Sequence, residues 1–228
     1  MASIPRKHPR NPGSGRQKTR LSDAPATPPP QKARKHLTVT EWRRLLDAAR
    51  ASSARDLALV LVLYEGALRA SEAGMLRLSY LDLPHRKLYV HRGKGSAAGW
   101  VDLSQHTVDA LDAWVGEVYP STFVFPGGRS RGRPVQGICG RTVNLIFHKL
   151  AEVAQLHPKL SHPHVLKHSR IQHLLDAMTK ETGNPWAALQ VIAKLVGHQA
   201  AETTIKHYAT ATARELGIAR EITAKLTS

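Results

Sequence analysis

Apolar residues recur at helical spacing through most of the chain that follows position 35. Thr38 followed by Glu41 is a capping-box pattern, and it predicts an amphipathic helix that runs through Arg50. A second helix is predicted from about 53 to 65, and because it is apolar on most faces we expect it at the centre of the core. A glycine ends this helix, and a short helix is predicted to follow through about Arg77.

The next part of the pattern predicts a small sheet. Two β-prone runs, Arg86–His91 and Gly99–Leu103, are joined by the segment GKGSAA, which indicates a hairpin, and Ser121–Phe125 is predicted to add a strand. Further helices are expected near 105–117, 137–156, 165–179, 185–196 and 211–226. These elements predict an α+β fold, mainly helical, with a small antiparallel β-sheet at one side.

Charge divides the chain into two parts. The sequence has 33 Lys+Arg against 17 Asp+Glu, which gives a net charge of +16. Residues 1–35 contain nine of the bases and one of the acids, together with the run PATPPP and no apolar periodicity. We therefore predict a disordered, basic, proline-rich arm over 1–35. Such an arm fits two roles equally well, a tether along DNA phosphates or a solvated tail.

Composition also limits the location and the partners. Cys139 is the single cysteine, so an intrachain disulfide is excluded and a reducing compartment is the simpler assumption. The N-terminus has no apolar segment typical of a secretory signal, and the longest apolar run, Leu57–Tyr64, is too short to span a bilayer. We expect a cytoplasmic protein without membrane contact. Its basic field favours polyanions, above all nucleic acid, although ribosome-associated proteins share such a charge.

Two basic residues in glycine-containing segments are candidates for phosphate chemistry. Phosphodiester exchange without a metal needs a nucleophile, cations on the non-bridging oxygens and a proton donor for the leaving oxygen. Arg69, in GALRASEA, could present a rigid guanidinium, but it could equally cap a helix or pair with Glu72. Lys94, in RGKGS at the hairpin tip, could enter a groove or protonate a leaving oxygen, but it also resembles a solvent-exposed turn lysine. In isolation, each structural alternative is favoured.

The segment HPHVLKHS is the third candidate. His164 and Lys167 lie three positions apart at the start of a predicted helix, so they share a face and could converge on one phosphate. The alternative is a metal site, because His164 and His168 lie four apart with His162 nearby. The sequence has no H-E-x-x-H pattern and no acidic third ligand there, which makes metal the minor alternative.

The fourth candidate contains a histidine and a tyrosine. LVGH ends at His198, and Tyr208 follows among polar residues. The other tyrosines lie in or beside apolar runs, which is typical of core residues: Tyr64, Tyr80, Tyr89 and Tyr119. A core position is the usual role of a tyrosine, and the polar context of Tyr208 makes that role less typical here.

In order and spacing, ALRASEA, RGKGS, HPHVLKHS, LVGH and the following tyrosine resemble the catalytic boxes of tyrosine recombinases, the phage-integrase family. The resemblance runs from about Leu37 to Thr210. It implies a tyrosine-recombinase catalytic domain over 36–210 and a C-terminal helical tail over 211–228. In this family a similar tail docks on a neighbouring protomer, although here it could equally pack on its own domain.

The resemblance also implies a mechanism of strand cleavage. Tyr208 would attack the scissile phosphate, form a 3′-phosphotyrosyl bond and leave a free 5′-hydroxyl. Lys94 would protonate the leaving oxygen, and His164 would help to take the tyrosine proton. An ordinary tyrosine has a pKa near ~10, so a cationic surround is needed for this chemistry at neutral pH.

The remaining implied roles concern the phosphate and the partner. Arg69 and Lys167 would hold the non-bridging oxygens, and His198 would hydrogen-bond the phosphate in the transition state. The partner would be double-stranded DNA, bound by a homo-tetramer. Since the bond energy is conserved in the protein–DNA link, neither ATP nor a metal cofactor would be required.

Three departures from the family pattern affect these expectations. The family usually has arginine at the position of Lys167; lysine loses the two-pronged contact, but we expect it to retain activity as a point charge. His198 and Tyr208 are separated by one position more than is typical. Typical members have a helical DNA-clamping domain before the catalytic domain. In this sequence only the basic arm precedes the catalytic domain, so we expect the arm to replace part of that clamp.

Two rival functions share parts of this pattern. A type IB topoisomerase uses the same phosphotyrosine chemistry, but the short chain and the GKGS hairpin favour a recombinase. A non-catalytic DNA-binding regulator on the same scaffold is favoured by Lys167 and by the missing clamp domain. It is disfavoured by the other five candidate residues. The sequence indicates neither the DNA site nor whether the event is integration, excision, inversion or resolution.

Overall fold

The computed structural model describes residues 34–93, 96–117, 121–128 and 136–196. The helices of this part are α1 (Val39–Ser52), α2 (Ala54–Glu65), α3 (Ala70–Ala73), α4 (Gln105–Glu117), α5 (Gly140–Val153), α6 (His164–Thr182) and α7 (Pro185–Leu195). The strands are β1 (Leu81–Asp82), β2 (Lys87–Val90) and β3 (Gly99–Asp102). Two short 3-10 turns lie at Leu78–Tyr80 and Pro158–Leu160.

Local signals in the sequence set the first two helices. Thr38 Oγ1 accepts a hydrogen bond from the Glu41 backbone N–H at 3.2 Å, and Glu41 Oε2 accepts one from the Thr38 N–H at 2.7 Å. The predicted capping box is therefore confirmed. In α2 every residue from Ala58 to Tyr64 is buried, and the helix packs against α1, α4 and α6. This confirms the prediction that the second helix lies at the centre of the core.

The sheet is antiparallel in the order β1-β2-β3. Leu88 lies opposite Val101 on β3 and Leu81 on β1. Leu88, Val90 and Val101 are buried, so one face of the sheet packs on the helices. The predicted hairpin is confirmed, but β1 was not predicted, because a strand of two residues is too short to show an alternating pattern.

Two sequence predictions in this region are wrong. Ser121–Phe125 is not a strand within the described residues, since Phe123 makes only an isolated bridge with Arg77. The short helix expected through Arg77 ends at Ala73, before Gly74. A Cβ built on Gly74 would lie 2.1 Å from the Ile138 carbonyl oxygen, so two backbone segments touch at this point. At this backbone crossing of Gly74 and Ile138 the chain leaves the helical path, so the helix does not continue to Arg77.

The remaining helices agree with the predictions to within three residues. Residues of α6 and α7 form a second apolar cluster, which also includes the buried Ala67. Ala67 has a left-handed backbone with φ of 48°, in the turn between α2 and α3. That turn is therefore held against α6 and α7. Among the described residues no helix is long and apolar enough to cross a membrane. The predicted helix at 211–226 and the arm over 1–35, except its last two residues, lie outside the described residues.

Candidate active site

Three of the six predicted site residues fall in the described part of the chain. They are Arg69, His164 and Lys167. The other three, Lys94, His198 and Tyr208, lie outside the described residues, so their roles stay predictions.

Arg69 is positioned by a buried carboxylate. It stands at the N-terminus of α3, where Glu72 accepts hydrogen bonds from the Arg69 backbone N–H at 2.8 Å and from Arg69 Nη1 at 2.9 Å. Glu72 is 1% exposed, whereas the Arg69 side chain is 39% exposed. The pairing with Glu72 that the sequence left open is thus present. It fixes the guanidinium and leaves part of it open to solvent, as a phosphate ligand requires.

The hairpin segment that contains Lys94 begins beside Arg69. The Gly93 N–H donates to Glu72 Oε1 at 2.9 Å, and a Cβ built on Gly93 would lie 3.5 Å from Arg69 Nη1. Burial raises the pKa of Glu72, but the hydrogen bonds from Arg69 and Gly93 outweigh it, so the net pKa is lowered. Glu72 is therefore an ionised carboxylate that joins the arginine box to the hairpin.

Lys167 lies in the first turn of α6 and is almost fully buried. The residue is only 4% exposed, and within the described ranges its Nζ has no hydrogen-bond partner. The pKa of Lys167 is lowered to about 8, chiefly by burial and also by the charges of Arg92 and Arg69, while the charge of Glu72 opposes the shift. A buried cation without a partner costs free energy unless something anionic pairs with it.

His164 begins α6 one turn before Lys167. Burial lowers its pKa, and the positive charges of Lys167, His162 and Arg69 lower it further. The imidazole is therefore kept neutral, the form that can accept a proton. Its ring packs edge-to-face on His168 with the centroids 4.6 Å apart. No three His, Cys, Asp or Glu side chains of the described segments gather in a way that could hold a metal ion.

The start of the folded chain fixes helix α6. Ser169 Oγ accepts a hydrogen bond from the Leu37 N–H at 2.8 Å and donates to the Val165 carbonyl at 2.7 Å. His173 Nε2 donates to the Leu37 carbonyl at 2.8 Å, so its Nδ1 accepts from the Tyr64 hydroxyl, also at 2.8 Å. Tyr64 is therefore a buried structural residue, as its apolar surroundings predicted. These contacts set where His164 and Lys167 stand.

Arg92 is a residue that sequence reasoning missed. It is the first residue of RGKGS, the segment in which only Lys94 was predicted to act. Its Nη2 donates to the Gly66 carbonyl at 3.0 Å, and its Nη1 is buried without a partner in the described part of the chain. Burial lowers the pKa of Arg92. The available signal was an arginine next to a glycine-flanked lysine, a pattern that indicates a phosphate ligand as readily as a turn.

Together these residues form a cationic centre suited to an anion. Arg69, Arg92 and Lys167 are close enough for their charges to interact, and Glu72 is the single carboxylate among the groups that shift the pKa of Lys167. Three positive groups around one carboxylate leave a local excess of positive charge in this described region. Such a centre can bind a phosphate and stabilise negative charge that develops on it.

Comparison with known proteins gives a family for this arrangement. A family model described as "Phage integrase family" matches residues 35–215, which is more than half of the chain. A tyrosine recombinase of Synechococcus elongatus is 35% identical over 159 residues, covering 67% of this chain and 46% of the relative. Tyrosine recombinase XerC of Xanthomonas campestris is 37% identical over 152 residues, covering 66% of this chain and 42% of the relative. The chain thus spans less than half the length of these two relatives.

Solved structures share the fold. The crystal structure of XerA recombinase superposes with a TM-score of 0.63 at 24% identity, over 88% of this chain and 67% of that one. The Tn1549 transposon integrase, in complex with circular intermediate DNA, has a TM-score of 0.64 at 18% identity, over 86% of this chain and 68% of that one. XerH recombinase, bound to its difH substrate, has a TM-score of 0.63 at 19% identity, over 83% of this chain and 54% of that one. The predicted fold, mainly helical with a small antiparallel sheet, is confirmed, and the chain belongs to the phage integrase family of tyrosine recombinases.

Proposed function

We propose that this chain is a site-specific DNA recombinase that cleaves and rejoins strands of double-stranded DNA through a 3′-phosphotyrosyl intermediate. The observation that supports this most directly is the cationic centre of Arg69 and Lys167, with the neutral His164 one turn away. A phosphodiester would supply a negatively charged hydrogen-bond acceptor for the buried Lys167 Nζ, which has none among the described residues. The curated relatives named as tyrosine recombinases, and the DNA bound in the solved integrase and XerH complexes, support the same proposal.

The proposed chemistry assigns the described residues to charge and proton transfer. Arg69 and Lys167 hold the non-bridging oxygens of the scissile phosphate. With a pKa of about 8, Lys167 is mostly protonated at neutral pH, and a bound phosphate keeps it so. His164, kept neutral by partial desolvation and by the neighbouring positive charges, helps to take the proton of the attacking tyrosine.

The residues outside the described part complete the step. The Tyr208 oxygen bonds to phosphorus as the bond to the 5′-oxygen breaks, and Lys94 gives that oxygen its proton. His198 donates a hydrogen bond to the phosphate in the transition state. A 5′-hydroxyl of a second strand reverses the reaction, so the number of phosphodiester linkages is conserved and the step needs no ATP. Exchange between two duplexes requires several active sites, which a homo-tetramer on DNA would supply.

Covalent trapping tests this proposal. The DNA would be a nicked substrate taken from the sequence that flanks the gene, so that the short leaving strand diffuses away and the adduct accumulates. We expect an SDS-resistant, protease-sensitive adduct that forms in EDTA with wild type and is absent with Tyr208→Phe. Tyr80→Phe is the matched control, since Tyr80 packs with other aromatic rings beside the sheet. Specific binding without an adduct would favour the non-catalytic regulator, and relaxation of any supercoiled plasmid without site preference would favour the topoisomerase.

A further inference from the structure

At this centre two buried nitrogen atoms of cationic side chains have no hydrogen-bond partner among the described residues. In the described ranges the buried side-chain atoms without a hydrogen bond are Arg92 Nη1, Ser96 Oγ, Lys167 Nζ and Thr179 Oγ1. Two of them belong to cations, and the positive charge of Arg92 is the largest electrostatic influence on Lys167. Leaving one buried cation unpaired is costly, and placing two together is more so. A shared anionic ligand would remove both costs at once.

The backbone around Arg92 holds its guanidinium in place. Arg92 follows β2, its Nη2 donates to the Gly66 carbonyl at 3.0 Å, and the next residue, Gly93, donates to Glu72 at 2.9 Å. One edge of the guanidinium is therefore held at the end of α2, while Nη1 makes no hydrogen bond to any residue that the structure describes. A residue that served only to cap α2 would need Nη2 alone, and it would gain nothing from burying Nη1 without a partner.

The lysine at position 167, where the family usually has arginine, suggests a role for Arg92. Lysine acts on phosphate as a point charge, whereas arginine donates through a planar, two-pronged group. Arg92 provides a guanidinium within electrostatic range of the lysine that stands where an arginine is usual. We propose that Arg92 is a further catalytic residue, whose Nη1 binds a non-bridging oxygen of the scissile phosphate beside Lys167. This inference rests on the proposed strand-transfer function.

Cleavage of two substrates distinguishes this role from a structural one. In the second substrate a methyl group replaces one non-bridging oxygen of the scissile phosphate, which removes its negative charge. Arg92→Gln should lower cleavage of the ordinary phosphodiester by about 100-fold, the cost of one lost oxyanion contact, and should lower cleavage of the neutral analogue by less than about tenfold. Arg92→Lys should recover part of the loss, because it keeps the charge. A purely structural residue would slow both substrates equally.

Arg86→Gln is the matched control, since Arg86 is exposed and directly precedes β2, at the end of the strand opposite to Arg92. It removes the same formal charge, so it should leave the ratio of the two rates at the wild-type value. Equal losses of Arg92→Gln on both substrates, or cleavage within threefold of wild type, would overturn the proposal for Arg92 while leaving the recombinase proposal intact.

An anion-binding measurement keeps the inference testable even if no covalent adduct forms. Inorganic phosphate that binds only the folded state raises the melting temperature by mass action. We expect this rise in wild type and in Arg86→Gln, and a clearly smaller one in Arg92→Gln. The difference between the two variants cancels general salt effects, which both share. An equal rise in both would refute the phosphate-binding role of Arg92, whatever the outcome of the trapping experiment.

Discussion

Substituting Glu72 by glutamine tests whether the buried carboxylate organises the site. Its Oε2 accepts the Arg69 backbone N–H, and its Oε1 accepts both Arg69 Nη1 and the Gly93 N–H. Glutamine keeps the shape of the side chain but replaces one oxygen with an NH2 group. Whichever way the amide turns, at least one N–H donor of Arg69 or Gly93 then faces another donor. The substitution also removes the negative charge beside the three cations.

The expected cost follows from these contacts. A hydrogen bond to a charged group contributes about 1.5–3 kcal/mol, and an unsatisfied buried donor costs about 1–3 kcal/mol. Since the Arg69 side chain is 39% exposed, water replaces part of that contact, and the two backbone donors account for most of the loss. We expect Glu72→Gln to lower the free energy of unfolding by about 3 kcal/mol, which for a domain of this size lowers the Tm by about 6–12 °C.

Thermal unfolding against pH measures this effect and its cause. The folded pKa of Glu72 is lowered, so its stabilisation is present above the unfolded value of about 4.3 and is lost as pH falls through the folded pKa. The difference in Tm between wild type and Glu72→Gln should therefore be largest at neutral pH and should disappear in acid. Asp47→Asn is the control, because Asp47 pairs with Arg50 on the exposed face of α1 and should change stability by less than about 1 kcal/mol. A Tm for Glu72→Gln equal to that of the control, or a gap independent of pH, would refute the reasoning.

Two further substitutions test the lysine and the backbone crossing. Lys167→Met removes a buried cation that has no hydrogen-bond partner in the described part of the chain. It should stabilise the protein by about 1–3 kcal/mol at pH 7 while abolishing strand cleavage. The folded pKa of Lys167 lies below the unfolded one, so wild type gains stability as Lys167 loses its proton above about pH 8. The Tm of Lys167→Met should therefore exceed that of wild type by less and less as pH rises. A Tm difference that is still undiminished at about pH 10 would contradict the proposed burial of the charged lysine. Gly74→Ala places a Cβ 2.1 Å from the Ile138 carbonyl and should cost about 1–3 kcal/mol in chemical denaturation. Gly116→Ala, which meets nothing within 4 Å in α4, should be neutral or stabilising, and equal behaviour of the two would disprove the crossing.

Local signals explain which parts of the fold could be predicted from the sequence. The capping box at Thr38 and Glu41 is a contact between neighbours in the chain, so the sequence alone indicates it. The apolar run in α2 and the glycine-rich hairpin are also local patterns. By contrast, β1 exists because two residues reach β2, and the crossing at Gly74 joins segments more than 60 residues apart. No periodicity within a short window reports such contacts.

The same distinction applies to the site. Arg69, His164 and Lys167 were found through motifs whose order resembles a family, and the described structure brings their charges into one centre. The roles of Glu72 and Arg92 depend on burial. Glu72 becomes a triple acceptor only when the Gly93 N–H reaches it from the hairpin, and Arg92 Nη2 finds its acceptor only when the Gly66 carbonyl at the end of α2 lies beside it. Composition and spacing do not indicate which polar groups are buried.

The central claim is that one tyrosine becomes covalently linked to DNA. The most direct test is mass spectrometry of the adduct trapped on the nicked substrate, after digestion with protease and nuclease. We expect a single modified peptide, with a nucleotide attached through its 3′-phosphate to Tyr208, and a free 5′-hydroxyl on the released strand. A nucleotide on another residue, a link through a 5′-phosphate, or no modified peptide despite specific DNA binding would contradict it.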